Sequence, residues 1–421
     1  MENKINSSFS LWRLLTLMKS IILSYSDLGG AGRAAINICK SLNNLNINSE
    51  IFVKKKFTNL NLVKNFYKKN NFIFERYRER INRNICKLEK KNIFSYQSPS
   101  IFPTFVSKKL NALNYDIIHL CWINEFLNIE DIGKIKKPII WTLCDMWPFS
   151  GVNHYEDYDY RAFWRKNFFD KFNKFSIDRW LINRKLKSWK SPMNIVVPNK
   201  WMFDCVKDSK IMSNFDCHII KWPINEKIFF KKDKLNCRKK FGLNNNKKII
   251  LFGSSNGLKD RRKGWDYLNQ SLSFTKENFD LIILGSKKPE NFSSNLKGNI
   301  FFFEKVDNDE ELSDLYNSVD CLALPSLHDN TPLISQEAQM CGVPIALFDH
   351  NGMSEIVDHK VNGYKAKSLD ISSFASGIDW ILENYLKENL SEKVLIKSQQ
   401  FNFEKIGLNY VKLYKEVLKL K

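Results

Sequence analysis

Residues 19–33 read KSIILSYSDLGGAGR, an apolar run that passes directly into a turn rich in glycine. The apolar part, Lys19 to Tyr25, predicts a buried β-strand. The glycine turn precedes a helical stretch that runs to about Leu42, and a second strand is predicted over Glu50–Val53. A strand, a glycine turn, a helix and a second strand form the opening unit of a parallel α/β sheet.

The same alternation continues along the chain and is repeated in its second half. Further strands are predicted at residues 116–120, 138–143, 194–197, 248–253, 280–284, 299–303, 320–324 and 344–348. Short apolar runs separated by helical stretches are typical of parallel strands that are covered on both faces. A chain of 421 residues suits two such domains, and the polar, lysine-rich stretch Trp222–Asn246 predicts the join between them.

The cysteine pattern and the N-terminal stretch bear on the cellular compartment. The nine cysteines are scattered and form no Cys-x-x-Cys pair, which argues against a disulfide framework and a structural zinc site and favours a reducing, cytoplasmic location. The apolar stretch 9–23 is interrupted by Arg13 and Lys19, and the chain has no run of 18 apolar residues. We therefore expect residues 1–17 to be an extension ahead of the first strand or a misplaced start, rather than a signal peptide.

The net charge of +21 is concentrated in the first half of the chain. Two stretches, Lys54–Lys91 and Arg161–Lys190, supply +18 of it, which indicates an anionic partner. Nucleic acid, anionic lipid and a phosphorylated substrate all fit this charge. The second stretch also places four aromatic residues on one helical face, as a helix at a membrane interface would, although core packing explains them equally well. These residues are Trp164, Phe168, Phe172 and Phe175.

The glycine turn also fits the dinucleotide-binding pattern G-x-G-x-x-A from Gly30 to Ala35. Glu50 lies 20 residues after Gly30, near the place where this pattern has its ribose-binding acid. An oxidoreductase is nevertheless disfavoured, because the ribose-binding acid belongs at the C-terminal end of the second strand. Glu50 opens that strand and Lys54–Lys56 close it. The turn is either a packing feature or an anion site at a helix N-terminus. The residues of such a site would be Gly29, Gly30, Gly32 and Arg33.

Two polar stretches follow strands of the second half. The first, Asp260-Arg-Arg-Lys-Gly264, comes after the strand 248–253 and could hold a phosphate, since guanidinium groups bind phosphate with two parallel hydrogen bonds. The second is PSLHDNTPLISQEAQMCGVP at residues 325–344, where Asp329 and Glu337 flank a predicted helix N-terminus. Both stretches have simpler explanations: a solvated basic turn, an N-cap at Asp329 and a surface residue at Glu337.

The stretch 325–344 resembles the E-x7-E signature of retaining GT-B glycosyltransferases of family 4 ("group 1"). The resemblance implies that Glu337 holds the donor ribose and that Asp329, where the family has Glu, contacts the transferred sugar. It also implies that Arg262 and Lys263 bind the donor diphosphate. The other donor-binding residues that it implies are Gly253, Asn330, Thr331, Pro332 and Leu333.

Other parts of the chain extend this resemblance to residues 18–421. The glycine turn is similar to the family's N-terminal loop, and residues 138–155 resemble the colanic-acid type of exopolysaccharide glycosyltransferase. Those relatives usually carry His at the positions of Cys121 and Cys144. The remaining candidates for the acceptor side are His119, Asp145 and His154, with a structural histidine or a helix cap as the alternative for each.

The resemblance implies a GT-B architecture: two Rossmann-like domains that face a central cleft, with the C-terminal helix packing back on the first domain. We expect an extension at 1–17, an acceptor domain at 18–222, a nucleotide-sugar donor domain at 223–402 and the returning helix at 403–421. Asp157-Tyr-Asp159 resembles a metal-binding D-x-D, but this fold neutralises the leaving diphosphate with Arg and Lys, so we expect no metal cofactor.

The implied activity is sugar transfer with retention, from a nucleotide-diphosphate sugar to a lipid-linked saccharide in cell-surface polysaccharide biosynthesis, such as lipopolysaccharide or capsule. The basic first half leads us to expect a peripheral protein on the inner face of the cytoplasmic membrane. Two alternatives of other classes are a non-catalytic glycosyltransferase-like subunit and a basic nucleic-acid-binding protein. A GT-B epimerase is a further alternative.

Overall fold

The computed structural model describes residues 18–67, 72–86, 96–156, 164–166, 176–254, 257–306 and 308–420. The chain divides into two compact units. Unit 1 consists of Met1–Pro223 together with Glu404–Lys421, and unit 2 consists of Ile224–Phe403.

Unit 1 is built on a seven-stranded parallel sheet in the order β3-β2-β1-β4-β5-β6-β7. The strand order reverses between β1 and β4, which makes the loops after these two strands the usual place for a ligand in an open α/β sheet. The strands are β1 (Lys19–Ser26), β2 (Asn48–Lys55), β3 (Val63–Asn65), β4 (Ile117–Leu120), β5 (Ile139–Thr142), β6 (Asn194–Val197) and β7 (Asp216–Ile219).

Helices connect these strands and cover the sheet, whose central strands are buried. Between the first and last strands of unit 1 they are α1 (Gly29–Asn44), α2 (Phe72–Cys86), α3 (Val106–Ala112), α4 (Ile129–Gly133), α5 (Ile177–Ser188) and α6 (Lys200–Asp208).

Unit 2 has a six-stranded parallel sheet in the order β10-β9-β8-β11-β12-β13, so its strand order reverses between β8 and β11. The strands are β8 (Lys248–Gly253), β9 (Phe279–Leu284), β10 (Ile300–Phe303), β11 (Cys321–Leu324), β12 (Ile345–Phe348) and β13 (Gly363–Ala366). The helices are α7 (Lys234–Lys240), α8 (Trp265–Ser271), α9 (Asp309–Asn317), α10 (Leu333–Met340), α11 (Ile371–Asn384) and α12 (Leu390–Ser398).

The predicted α/β class is confirmed, and every predicted strand is present with its ends shifted by at most two residues. Three strands were not predicted: β3, β7 and β13. All three lie at sheet edges, where one side of the strand has no neighbour and the apolar pattern is correspondingly weak. In β3, for example, only Val63 is buried.

The C-terminal helix α13 (Phe403–Val417) packs on unit 1, as predicted. Its Tyr414 and Tyr410 are fully buried. The hydroxyl of Tyr414 lies 2.8 Å from Nδ1 of His119, and Nε2 of His119 lies 2.7 Å from the hydroxyl of Thr142. The hydroxyl of Tyr410 is 3.2 Å from the same threonine oxygen. A chain of hydrogen bonds therefore joins α13 to β4 and β5 inside the core.

Among the described residues, no helix combines the length and the apolar character that crossing a bilayer requires.

The burial of His119 predicts a pH-dependent stability. Burial lowers the pKa of His119 from 6.5 to about 3, so between these values the unfolded chain binds a proton that the native state does not. The free energy of unfolding should therefore fall by roughly 2 kcal/mol between pH 8 and pH 5 because of this residue. His119→Gln keeps a donor and an acceptor but removes the titration. Its thermal unfolding should show a correspondingly weaker pH dependence, and an unchanged dependence would contradict the assignment.

Candidate functional site

The charged residues of unit 2 meet where the loops after β8 and β11 come together. A short 3-10 turn, Arg261–Lys263, follows β8, and Asp329 lies in the loop after β11. Nη1 of Arg262 is 3.1 Å from Oδ2 of Asp329, and Nζ of Lys263 is 2.5 Å from the same oxygen. The three side chains are largely buried, with exposed fractions between 8% and 15%. A solvated basic turn is therefore the wrong interpretation of this stretch.

Backbone contacts hold the same two loops together. The amide of Leu327 donates to the carbonyl of Arg262 at 2.7 Å, and Nη1 of Arg262 donates to the carbonyl of His328 at 2.8 Å. Gly264 has a φ of +76°, and a Cβ there would lie 1.8 Å from the carbonyl oxygen of Pro325. Only glycine fits at this crossing, so the basic turn and the loop after β11 form one tightly packed element.

The ion pairs determine the charge state of Asp329. Burial would raise its pKa, but the charges of Lys263 and Arg262 and the hydrogen bonds from them outweigh it, and the pKa is lowered to about 2. Burial also lowers the pKa of Lys263, an effect that the charge of Asp329 partly offsets. Because the pKa of Asp329 is depressed, its contribution to stability is present above the ordinary value near 3.8 and is lost as the pH falls towards 2.

Glu337 is fully buried on α10 rather than on the surface. Its Oε2 accepts a hydrogen bond of 2.9 Å from the hydroxyl of Tyr316 on α9, which is itself 1% exposed. Sequence reasoning missed Tyr316, because it lies 21 residues away on another helix. The N-cap of α10 is Pro332, so the N-cap explanation of Asp329 is wrong as well.

The other predicted donor-binding residues lie around the same loops. Asn330 is buried and its amide donates to Oδ1 of Asp329 at 3.0 Å. Thr331 is half-buried, and Leu333 begins α10 directly after Pro332. Gly253 ends β8, where a Cβ would lie 2.8 Å from Cδ1 of an isoleucine in the first turn of α10. The structure thus brings the donor candidates to the carboxyl ends of the central strands β8 and β11.

In unit 1, the glycine turn follows the central strand β1 and begins α1. Gly29 has a φ of +73°, and a Cβ on Gly32 would lie 2.6 Å from the carbonyl oxygen of Ser26, so both positions require glycine for the turn itself. A Cβ on Gly30 would meet no atom within 4 Å, and Arg33 follows in the first turn. Packing therefore explains two of the three glycines, and Gly30 leaves open space at the start of α1.

The acceptor-side candidates fall into two groups. His119 lies in the core beneath α13, where both ring nitrogens have hydrogen-bond partners, and this favours a structural role. Asp145 and His154 form a buried pair with 2.6 Å between Oδ2 and Nδ1. Oδ2 of Asp145 also accepts from Nε1 of Trp122 at 2.6 Å, and Oδ1 accepts from the amide of Trp147 at 3.0 Å. Asp145 is therefore the centre of a hydrogen-bond network rather than a simple helix cap.

The same loop is held by Lys185, which belongs to the basic stretch Arg161–Lys190. Lys185 is fully buried on α5, and burial lowers its pKa well below the ordinary value. Its Nζ donates to the carbonyls of Trp147, Ser150 and Gly151 at 2.5, 2.9 and 3.1 Å. Nζ also lies 3.9 Å from the centre of the Trp147 ring. The ammonium group fixes the turn that follows Asp145.

The basic stretches are only partly available at the surface. Lys54, Arg78 and Lys185 are buried, so the formal charge overstates the exposed charge. Trp164 is fully buried with its ring centre 5.4 Å from that of Phe149, so core packing is the correct explanation for this aromatic residue. The other residues of the predicted aromatic face and the D-x-D lie outside the described residues: Phe168, Phe172, Phe175, Asp157 and Asp159.

Comparison with known proteins finds similarity to glycosyltransferases. Residues 233–397 match the glycosyl transferases group 1 family. An uncharacterized glycosyltransferase of Methanocaldococcus jannaschii is 27% identical over 199 residues, which cover 44% of this chain and 50% of that protein. The N,N'-diacetylbacillosaminyl-diphospho-undecaprenol alpha-1,3-N-acetylgalactosaminyltransferase of Campylobacter jejuni is 24% identical over 261 residues, 60% of this chain and 68% of that protein. The chain thus spans about half to two thirds of the length of these relatives.

Solved structures match over almost the whole chain. The Anabaena protein HepE in complex with UDP-glucose superimposes with a TM-score of 0.62 at 14% identity, covering 95% of this chain and 100% of that one. At this identity the likeness establishes the fold alone. The two parallel Rossmann-like sheets are those of the GT-B fold.

The buried ion pair predicts a loss of stability when its carboxylate is neutralised. Asp329→Asn should lower the free energy of unfolding at pH 7 by about 2 kcal/mol, because Lys263 and Arg262 lose their buried counter-ion. Asp349→Asn is the matched control, since Asp349 is exposed on the loop after β12. Thermal unfolding of both variants measures the effect. Equal unfolding temperatures for Asp329→Asn and the control would show that the pair does not stabilise unit 2.

Proposed function

We propose that this chain is a retaining glycosyltransferase that transfers a sugar from a nucleotide-diphosphate sugar to a saccharide acceptor. The proposal rests chiefly on the buried Asp329–Arg262–Lys263 cluster, which lies at the strand-order reversal of unit 2 within the segment that matches the glycosyl transferase family. Relatives named as glycosyltransferases and a GT-B neighbour solved with UDP-glucose support it.

The proposed mechanism follows from where charge develops. As the nucleoside diphosphate departs, negative charge grows on its β-phosphate, and the sugar becomes oxocarbenium-like. Arg262, Lys263 and the first amides of α10 are prepositioned groups that would stabilise this charge. Retention would follow from attack on the same face as the leaving group, with the diphosphate helping to deprotonate the acceptor. Because fixed cations neutralise the diphosphate, we propose that no metal cofactor is needed.

Glu337 and Asp329 would recognise the two ends of the donor. A buried carboxylate such as Glu337 can accept hydrogen bonds from ribose hydroxyls. The hydroxyl of Tyr316 would hold that carboxylate in one orientation. Asp329 would contact the transferred sugar while it keeps the two cations in place.

We further propose that the acceptor is lipid-linked and that unit 1 binds an anionic membrane surface in the cytoplasm. The Campylobacter relative is named for a diphospho-undecaprenol acceptor, and the excess positive charge of this chain lies in the first half. Since Lys54, Arg78 and Lys185 of that half are buried, the exposed charge must come from other residues. In α2, Arg76, Tyr77 and Arg80 are exposed.

The donor site is tested by three substitutions. Glu337→Ala and Arg262→Ala should each reduce the rate with a nucleotide-diphosphate sugar by ~10- to 150-fold, since each removes a charge-assisted hydrogen bond of roughly 1.5–3 kcal/mol. Tyr316→Phe removes only one neutral donor, so its effect should be smaller, about five- to tenfold. Steady-state kinetics with panels of uridine, guanosine and adenosine diphosphate sugars measure these effects.

Tyr267→Phe serves as the control, because Tyr267 is a half-buried tyrosine of α8 whose ring packs on Phe348. It should leave the kinetics unchanged, and all rates should persist in EDTA. Wild-type kinetics in folded Glu337→Ala and Arg262→Ala would remove the donor assignment, and a strict need for Mg²⁺ or Mn²⁺ would remove the metal-independent mechanism.

The membrane proposal predicts salt-sensitive binding to anionic vesicles. The combined substitution Arg76→Glu and Arg80→Glu should weaken partitioning on the order of tenfold or more, because each basic residue near an anionic surface contributes about 1 kcal/mol. Lys287→Glu with Lys288→Glu changes the net charge equally on exposed residues of unit 2 and should bind as the wild type does. Vesicle sedimentation with and without phosphatidylserine measures the partitioning. Equal losses in both double variants would indicate a net-charge effect instead of a binding surface.

A further inference from the structure

An aromatic cluster lies at the strand-order reversal of unit 1. Tyr25 is near the end of β1, and Trp122 follows β4 by two residues. The amide of Tyr25 donates to the carbonyl of Trp122 at 2.6 Å, so the two residues lie side by side. Tyr96 enters from another segment, which is joined to the loop after β5 by a 3.0 Å hydrogen bond from the amide of His154 to the carbonyl of Tyr96.

The rings are in contact in well-defined orientations. Tyr25 and Trp122 pack edge to face with 5.4 Å between ring centres, and Tyr96 and Trp122 are tilted with 5.8 Å between theirs. The ring of His154 lies 4.9 Å from Tyr96 and 5.6 Å from Trp122. His154 is 1% exposed, whereas Tyr96 is 55% exposed and Trp122 is half-buried. The cluster therefore has a buried base and an open face formed by Trp122 and Tyr96.

Polar groups fix this face. The indole Nε1 of Trp122 donates to Asp145 at 2.6 Å, which sets the plane of the ring. The ammonium groups of Lys54 and Lys55 lie 5.5 and 5.2 Å from the ring centre of Tyr25. These contacts hold the cluster rigid without a ligand.

Hydrogen-bonding groups border the cluster. Glu79 of α2 accepts from Lys54 at 3.1 Å and from Lys55 at 3.2 Å, and the hydroxyl of Tyr25 is 3.4 Å from it. Glu79 and Lys55 are only partly buried, with exposed side-chain fractions of 20% and 33%. Burial would raise the pKa of Glu79, but the lysines outweigh it and lower the pKa. A charged donor and a charged acceptor thus stand beside the ring of Tyr25, which packs edge to face on Trp122.

We propose that Trp122 and Tyr96 form a subsite that binds a sugar ring of the acceptor, with Glu79 and Lys55 recognising its hydroxyl groups. A pyranose has a face of C–H bonds, which packs on the electron-rich face of an aromatic ring, and a rim of hydroxyls that need donors and acceptors. The cluster offers an aromatic face for the C–H bonds and charged hydrogen-bonding groups for the hydroxyls.

This inference rests on the proposed glycosyltransferase function, because it assigns the acceptor side of that reaction to named residues. It assigns the binding of the acceptor sugar to Trp122 and Tyr96 instead of to His119 or His154. His154 then supports Trp122 and Tyr96 from below and does not touch the sugar itself. Asp145 orients the indole and is a positioning residue.

The test is saturation-transfer NMR on the full chain with the methyl glycosides of glucose, galactose and N-acetylglucosamine, in the presence of saturating UDP. At least one glycoside should receive saturation from the wild type. Trp122→Ala and Tyr96→Ala should each weaken that binding by about tenfold. Phe274→Ala is the control, since Phe274 of unit 2 is a ring of equal exposure, 54%, and it should bind as the wild type does.

Each outcome decides the inference. Absence of saturation transfer to every glycoside, or equal transfer in the wild type, Tyr96→Ala and Trp122→Ala, would overturn the subsite. If Trp122→Ala does not fold, Tyr96→Ala decides alone, because more than half of that side chain is exposed. Thermal shifts with UDP, GDP and ADP on the same samples separate the two proposals. A wild type that no nucleotide stabilises contradicts the glycosyltransferase function, whereas unchanged nucleotide binding with unchanged glycoside binding in the variants contradicts only the subsite.

Discussion

The ion pair between Asp329 and the cations of the basic turn is the interaction on which unit 2 depends. It ties together the loops after β8 and β11, which leave the sheet where its strand order reverses. Gly264 allows these loops to cross within van der Waals contact of each other. The loop after β11 then leads directly into α10, so the position of Asp329 also fixes where the helix N-terminus and Glu337 lie. One buried carboxylate thus orders both the cations and the helix.

Unit 1 achieves the same rigidity with different chemistry. In the loop after β5, the carboxylate of Asp145 binds the amide of Trp147 and the ring of His154. The ammonium of Lys185 binds three carbonyls of the same loop. Backbone groups in a loop of this kind would otherwise be buried without partners, which is costly. A fully satisfied buried network rigidifies its surroundings. Trp122 gains its fixed orientation from this network.

Local sequence patterns were sufficient for the α/β fold, and a short motif was sufficient to name Asp329 and Glu337 as candidates for a donor site, because both are encoded over short distances. A buried strand, a helix start and the pair Asp329 and Glu337 each fit within one stretch of about twenty residues. Tyr316 and Lys185 could not be found in this way, since their partners lie 21 and at least 34 residues away in the sequence. Net charge says less about the surface for a related reason: a formal count cannot distinguish the buried Lys54 from an exposed lysine.

The charges of the basic turn also place a condition on any anionic ligand. Arg262 pairs with Asp260 at 3.1 Å as well as with Asp329, and Lys263 pairs with Asp329, so the two cations face two carboxylates. Because the pKa of Asp329 is about 2, protonation does not relieve this competition near neutral pH. A diphosphate therefore has to replace Asp329 at one of its partners or share that partner with it. In return, the cations are already oriented and largely removed from water, so a bound phosphate meets donors that need little reorganisation.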